Sequence, residues 1–212
     1  MKKSVHLVRW ALKQINKALL HNDNFTILCN SCIGGVIYNK LGARFCSPTI
    51  NMGMSDKSFL KFIQNLDYYM SCQLIVFDND TDEKTYYSAK LGDLDLIFGH
   101  YSSKLEIEEK WEKRKKRINR DNLFIIMSDR PSGDNKTEIT HDDLLALKGF
   151  DCSGKVVFST KDYDDIDFII RLPKDPAGDY VNSYMYDKLK LFDIWRWELR
   201  FFYGRWLSKN IK

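Results

Sequence analysis

Apolar residues Val5, Val8, Leu12, Ile15 and Leu19 recur at spacings of three and four, which places them on one face of an amphipathic helix. The polar break His21-Asn22-Asp23-Asn24 ends that pattern, and Phe25-Thr26-Ile27-Leu28-Cys29 then reads as a short buried strand. Asn30 to Gly35 forms the turn after it, and Val36 to Leu41 begins a helix. Strand, glycine-containing turn and helix in that order open an α/β unit.

The pattern continues in the same alternation. Ser55 or Asp56 caps a predicted helix through Phe59, Phe62, Ile63 and Leu66, and Gln73 to Phe77 reads as a strand. Thr85 to Leu91 and Asp95 to Phe98, separated by Gly92-Asp93, predict a hairpin. Ser103-Lys104-Leu105-Glu106 carries the capping-box spacing and opens a helix to about Ile118. Its charges run from Glu106, Glu108, Glu109 and Glu112 to the basic stretch from Lys113 to Arg117, complementing the helix dipole. Leu123 to Met127, Val156 to Phe158 and Phe168 to Ile170 predict further strands, with a short helix over His141 to Leu147. From Tyr180 onward Phe192, Trp195, Leu199, Phe202 and Trp206 share a helical face flanked by Arg196, Arg200, Arg205 and Lys209. That segment reads as a helix on the core, or as an interfacial helix at a membrane surface or partner. The division expected is one α/β domain over residues 1–179 and a C-terminal aromatic and basic helix over 180–212.

Composition narrows the classes. A chain of 212 residues with 44% hydrophobic and 29% charged residues buries a full core. A net charge of +4 from nearly balanced acids and bases does not point to nucleic acid. The five cysteines, an odd and sparse set, do not form the framework of a disulfide-built secreted domain. Met1-Lys2-Lys3 resembles the start of a signal peptide, but Arg9, Lys13 and Lys17 interrupt its apolar stretch. No run approaches the roughly 20 apolar residues of a membrane-spanning helix. A cytoplasmic location, with peripheral contact at the inner membrane as its variant, is expected.

Chemistry concentrates in three places. The first is Cys29-Asn30-Ser31-Cys32-Ile33-Gly34-Gly35, where ligands bind in open α/β sheets. Gly34 and Gly35 permit close backbone approach, and the following helix N-terminus offers free N–H groups to an anion. That helix end also favours a thiolate at Cys32, making it a candidate nucleophile, while Cys29 reads as a small core residue. The C-x-x-C spacing admits a redox role, but with no second ligand pair it predicts no zinc, and no other metal is expected. The second place is Phe98-Gly99-His100-Tyr101, where His100 at a strand end is a candidate general base for a thiol or a sugar hydroxyl. The third is the basic run ending in Arg114-Lys115-Lys116-Arg117-Ile118-Asn119. On a helical wheel Arg114 falls among Ile107, Trp111 and Ile118, so it needs an anionic partner, either a buried carboxylate such as Asp129 or a ligand phosphate. Ser128-Asp129-Arg130 adds polar groups at a further strand terminus.

Phe25 to Gly35, Leu41-Gly42 followed by Ser47-Pro48-Thr49, Leu91-Gly92-Asp93 through His100-Tyr101, Trp111 through Asn119, Asp121-Asn122-Leu123-Phe124 and Ser128-Asp129-Arg130 together form one chain of motifs. In order and spacing it resembles a bacterial family, domain of unknown function nineteen-nineteen, found among exopolysaccharide, capsule and lipooligosaccharide genes. The resemblance spans roughly Asn24 to Ile170. Where the family's turn reads Ser-Asn-Asn-Cys-Trp-Gly-Gly, this chain keeps Cys32, Gly34 and Gly35 but has Ser31 for the second Asn and Ile33 for the aromatic. The resemblance implies a three-layer α/β/α fold, here expected around a mixed, largely parallel sheet, and a carbohydrate-assembly setting. The Asn-x-Cys turn is also similar to that of a capsule acetyltransferase family in which Cys and His act together.

The function expected is therefore a transferase on a surface-polysaccharide precursor, acyl transfer leading, with Cys32 as nucleophile and His100 as base. Asn30, Ser31, Gly34, Gly35, Arg114, Arg117, Asn119, Ser128, Asp129 and Arg130 are the expected substrate- or phosphate-binding set. The donor is acetyl-CoA or a nucleotide sugar. A glycosyl- or phosphotransferase and a non-catalytic scaffold of polysaccharide-assembly proteins are the alternatives.

Overall fold

The computed structural model describes residues 23–77, 86–128, 139–159, 161 and 163–171, with residues 7, 10, 11, 13–15, 17, 18 and 20 ahead of them. The expected helix over 180–212, the pair Asp129-Arg130 and the candidate partner Asp129 lie outside these residues.

Among the described residues, eight strands form two four-stranded sheets. The first joins β1 (Thr26–Cys29), β6 (Leu123–Ser128), β7 (Gly154–Ser159) and β8 (Ile169–Arg171) in that order, all parallel. The second joins β2 (Met52–Gly53), β5 (Leu94–Gly99), β4 (Tyr86–Leu91) and β3 (Leu74–Val76), all antiparallel. Five helices accompany them among the described elements: α1 (Ile33–Leu41), α2 (Asp56–Gln64), α3 (Leu66–Ser71), α4 (Lys104–Lys115) and α5 (His141–Lys148).

The fold is α/β, with parallel and antiparallel pairings divided between two sheets. The patterns explain the division. Every residue of β6 is buried, as in a sheet covered on both faces. In β5, Leu94, Leu96 and Phe98 are buried and alternate with Asp95 and the partly exposed Ile97, the pattern of a sheet with one wet face. The parallel sheet's faces line two cores. Phe25, Ile27, Cys29, Phe124 and Ile126 meet α1 on one side, while Leu28, Leu123, Ile125 and Met127 meet the antiparallel sheet, α2, α4 and α5 on the other.

Local chemistry fixes the elements. The helix predicted from Ser55 through Leu66 is two helices, parted at Asn65 (φ −123°, ψ 39°), whose side-chain amide donates to the Lys61 carbonyl at 3.0 Å. Ser103 caps α4 by accepting from Glu106 N at 3.2 Å, but the Glu106 carboxylate reaches one residue further back, to Ser102 N (2.8 Å) and Ser102 Oγ (2.6 Å). Thr140 and Asp143 close a full capping box on α5. At the other end of α5, Lys155 Nζ donates to the carbonyls of Leu147, Lys148 and Phe150 at 2.7–2.9 Å, neutralising the negative helix end.

The exposed ladder of edge strand β1 is closed by side chains. Tyr38 Oη accepts from Ile27 N (3.1 Å) and donates to Phe25 O (2.8 Å), and Thr49 Oγ1 accepts from Cys29 N (3.1 Å). The segment Cys46–Thr49 runs alongside β1, tied at one end by Thr26 Oγ1 to Cys46 O (2.9 Å) and at the other by Thr49. This accounts physically for Ser47-Pro48-Thr49: it replaces a neighbouring strand and keeps β1 from pairing with another chain.

Candidate functional site

The C-terminal ends of β1 and β6 lie side by side, with Cys29 paired to Ile126. Beyond them Asn30 acts as a bridge. Its Nδ2 donates to Ser128 O (2.8 Å), its Oδ1 accepts from Ser128 N (3.0 Å), and its own carbonyl accepts from Met54 N (3.4 Å). A side chain that is 5% exposed and occupied in this way positions the turn. Asn30 and Ser128, both expected to bind substrate, therefore hold the strand ends together.

The turn then enters α1 with Cys32 at its N-cap (φ −70°, ψ −1°), half-buried and making no side-chain capping bond. The two glycines that follow are close-contact positions. A Cβ at Gly34 would lie 2.7 Å from Cys29 Sγ, and one at Gly35 would lie 3.0 Å from Asn51 Oδ1 and 3.3 Å from Ile50 Cγ2. Their role is to seat α1 against β1 and the Ile50-Asn51 turn, so the space expected to be open for a ligand is filled by protein. Cys29 is buried, its thiol donates to Ser31 O at 3.0 Å, and burial pushes its pKa up to about 11. A thiol so held stays protonated at neutral pH, which fits a core residue better than half of a redox pair.

The Ile50-Asn51 turn connects α1 to the rest of the site. Asn51 has a left-handed backbone (φ 56°), a conformation Asn tolerates, and its carbonyl accepts from Gly99 N at 3.0 Å. The Ile50 carbonyl accepts from Tyr101 Oη (2.6 Å) and Arg114 Nη1 (3.4 Å), and the same Nη1 donates to Tyr101 Oη at 2.7 Å. The Arg114 guanidinium lies over the Phe45 ring, 5.4 Å from its centroid. Arg114 is only 7% exposed, and among the described residues no carboxylate pairs with it. Burial raises the Tyr101 phenol's pKa, and the Arg114 charge and hydrogen bond oppose this.

The expected set thus separates. Cys32, Gly34, Gly35 and Arg114 belong to one cluster with Tyr101 and the Ile50-Asn51 turn. His100 is exposed with a left-handed backbone (φ 63°) at the end of β5. Arg117 Nη1 donates to Phe45 O at 3.2 Å, on the same loop that Arg114 touches. Asn119 leaves the set. It donates to Asn24 O (2.8 Å), accepts from Asp121 N (3.0 Å) and, through its own N–H, reaches Thr26 Oγ1 (2.8 Å). Those contacts pin the start of β1, roughly 10 Å along the strand from the turn. Ser31 is half-buried beside Cys32, its carbonyl taken by Cys29.

Sequence reasoning missed Tyr101 and Asn51. Tyr101 was visible only as the neighbour of His100, and the left-handed Asn51 had no pattern to announce it. Among the described residues, no helix is long and apolar enough to cross a membrane, and no cluster of three or more His, Cys, Asp or Glu side chains is arranged to hold a metal.

Comparison with known proteins gives two results. An uncharacterized protein of Haemophilus influenzae is 36% identical over 152 residues, covering 70% of this chain and 69% of that protein. Residues 3–196 match the family described as domain of unknown function DUF1919, which takes in the helical residues ahead of β1 and extends past Tyr180. The chain belongs to the DUF1919 family.

Proposed function

We propose that the chain is a transferase acting on a bacterial surface-polysaccharide precursor, with acyl transfer from a coenzyme A thioester as the leading chemistry. The observation that carries this reading is Arg114. It is a buried cation held by two neutral oxygens and a ring, beside the turn that seats the first turn of α1 and Cys32. Among the described residues no carboxylate neutralises this desolvated guanidinium; an arriving anion stabilises it, and the donor's phosphates supply one. The resemblance to families of exopolysaccharide, capsule and lipooligosaccharide genes supports the acceptor class.

In this chemistry the Cys32 thiolate attacks the donor's acyl carbonyl. A new carbon–sulfur bond forms at Cys32, the donor's carbon–sulfur bond breaks, and the coenzyme leaves as its thiolate, which takes a proton from solvent. An acceptor sugar hydroxyl then attacks the Cys32 thioester and gives up its proton to His100, which passes it to solvent, while the Cys32 sulfur departs as the thiolate that began the cycle. The exposure of His100 suits contact with an acceptor arriving from solvent. The same buried cation also supports glycosyl or phosphoryl transfer, in which it holds a nucleotide sugar's diphosphate and Cys32 forms no bond.

Titration of the wild-type chain and Arg114→Met with acetyl-CoA and with a UDP-sugar separates these readings. Methionine fills the buried position without charge. Acetyl-CoA affinity is expected to fall at least about tenfold while thermal stability holds or rises. Binding of the UDP-sugar alone moves the assignment to glycosyl transfer. Binding of neither donor, or equal binding by Arg114→Met, contradicts the reading.

A further inference from the structure

The helical residues ahead of β1 carry an apolar face that the fold leaves outside. Leu7, Trp10 and Ile15 are 67%, 60% and 52% exposed. By sequence spacing Ile15 belongs with Val8, Leu12 and Leu19. The side opposite Ile15 is the one that meets the body. Lys13 Nζ donates to Asn39 Oδ1 at 3.0 Å, and a Cβ built at Gly42 would lie 3.2 Å from Lys17 Cβ and 3.3 Å from Lys13 O. The basic stems thus face α1 while Leu7 and Ile15 turn away and Trp10 sits at the border, on the helical turn beside Lys13 and Lys17. The charge is equally one-sided. Residues 1–22 contain Lys2, Lys3, Arg9, Lys13 and Lys17 and no Asp or Glu.

We infer that this helix docks the protein on an anionic phospholipid surface. An outward apolar face takes the acyl boundary, flanking ammonium and guanidinium groups meet lipid phosphates, and Trp10 suits the interface between the two. The absence of acidic residues singles out a negatively charged surface over a second copy of this chain, whose matching helix would bring the same positive charge. The inference stands apart from the proposed chemistry at Cys32. It assigns the membrane contact to the N-terminal helix, where the sequence reading had offered the segment after Tyr180 as one alternative.

Co-sedimentation of the full chain with vesicles tests it. The protein is expected to pellet with vesicles of equal parts phosphatidylglycerol and phosphatidylcholine, and to remain in the supernatant with phosphatidylcholine alone. Leu7→Glu/Ile15→Glu, with its melting temperature checked by circular dichroism, is expected to lower the partition coefficient at least about tenfold. Lys2→Glu/Lys3→Glu, which leaves the apolar face intact, is expected to lower it by a similar factor and to weaken the dependence on salt. Failure to pellet with the anionic vesicles overturns the inference and leaves the face to a protein partner. Wild-type partition by both variants overturns it as well, and moves the lipid contact to another segment.

Discussion

At the scale of single residues, the turn after β1 is governed by contacts a few tenths of an ångström from steric conflict. Gly34 exists because the Cys29 sulfur occupies the space a Cβ would need. The sequence made the pair of glycines visible but suggested ligand approach, since one-dimensional spacing does not show which atom lies opposite. The two roles predict opposite behaviour on substitution. Gly34→Ala is expected to destabilise the wild-type chain by about 1–3 kcal/mol through the clash with Cys29 Sγ. In a Cys29→Ala background the clash is gone, and alanine's advantage over glycine in a helix, about 1 kcal/mol, is expected to make the same change neutral or stabilising. Denaturant unfolding of the four variants measures this sign reversal. An effect of Gly34→Ala that is the same in both backgrounds contradicts the contact. Arg114 is the opposite case. Its place on the apolar face of α4 was legible from the heptad-like spacing of Ile107, Trp111 and Ile118, and it is indeed buried. Its partners were not legible, because Phe45, Ile50 and Tyr101 come from other parts of the chain.

At the scale of elements, patterning recovered most strands and helices because their signals are local. The capped α4 and α5, the β4–β5 hairpin around Gly92 and the buried run of β6 all announce themselves within a window of a dozen residues. Boundaries were less visible. The split between α2 and α3 depends on one backbone conformation at Asn65, and the two-residue β2 exists only by pairing with β5. The cap of α4 yields a pH test. Hydrogen bonds from Lys110 and from Ser102 hold the Glu106 carboxyl down, from 4.5 to about 2. A carboxylate with a depressed folded-state pKa stabilises the fold fully above its unfolded value, and that contribution disappears as pH falls through the folded value. Glu106→Gln is therefore expected to be less stable than wild type at pH 7. The difference is expected to shrink below about pH 4.5 and to vanish near pH 2. Urea unfolding of both proteins across that range checks the sign. A gap that widens on acidification contradicts the assignment.

At the scale of the molecule, the α/β class followed from the order of elements, while the division into two sheets did not. Strand pairing joins residues far apart in sequence, as in the pairing of Thr26 with Leu123, and no local pattern records the partner. The alternation along β5 set against the uniform burial of β6 was the available sign that these strands belong to differently covered sheets. The same distance in sequence explains the candidate site. Cys32, Asn51, Tyr101 and Arg114 come from four separate segments, and only topology brings the strand ends, the Ile50-Asn51 turn and α4 together. The central claim is that Cys32, at the start of α1, takes an acyl group covalently. Intact-protein mass spectrometry of the full chain mixed with acetyl-CoA, with and without acceptor saccharide, tests it most directly. The account predicts that wild type gains the mass of one acetyl group on Cys32, that His100→Ala accumulates it in the presence of acceptor, and that Cys32→Ala gains none. Turnover of acetyl-CoA by Cys32→Ala at the wild-type rate, with no adduct on any form, would contradict it.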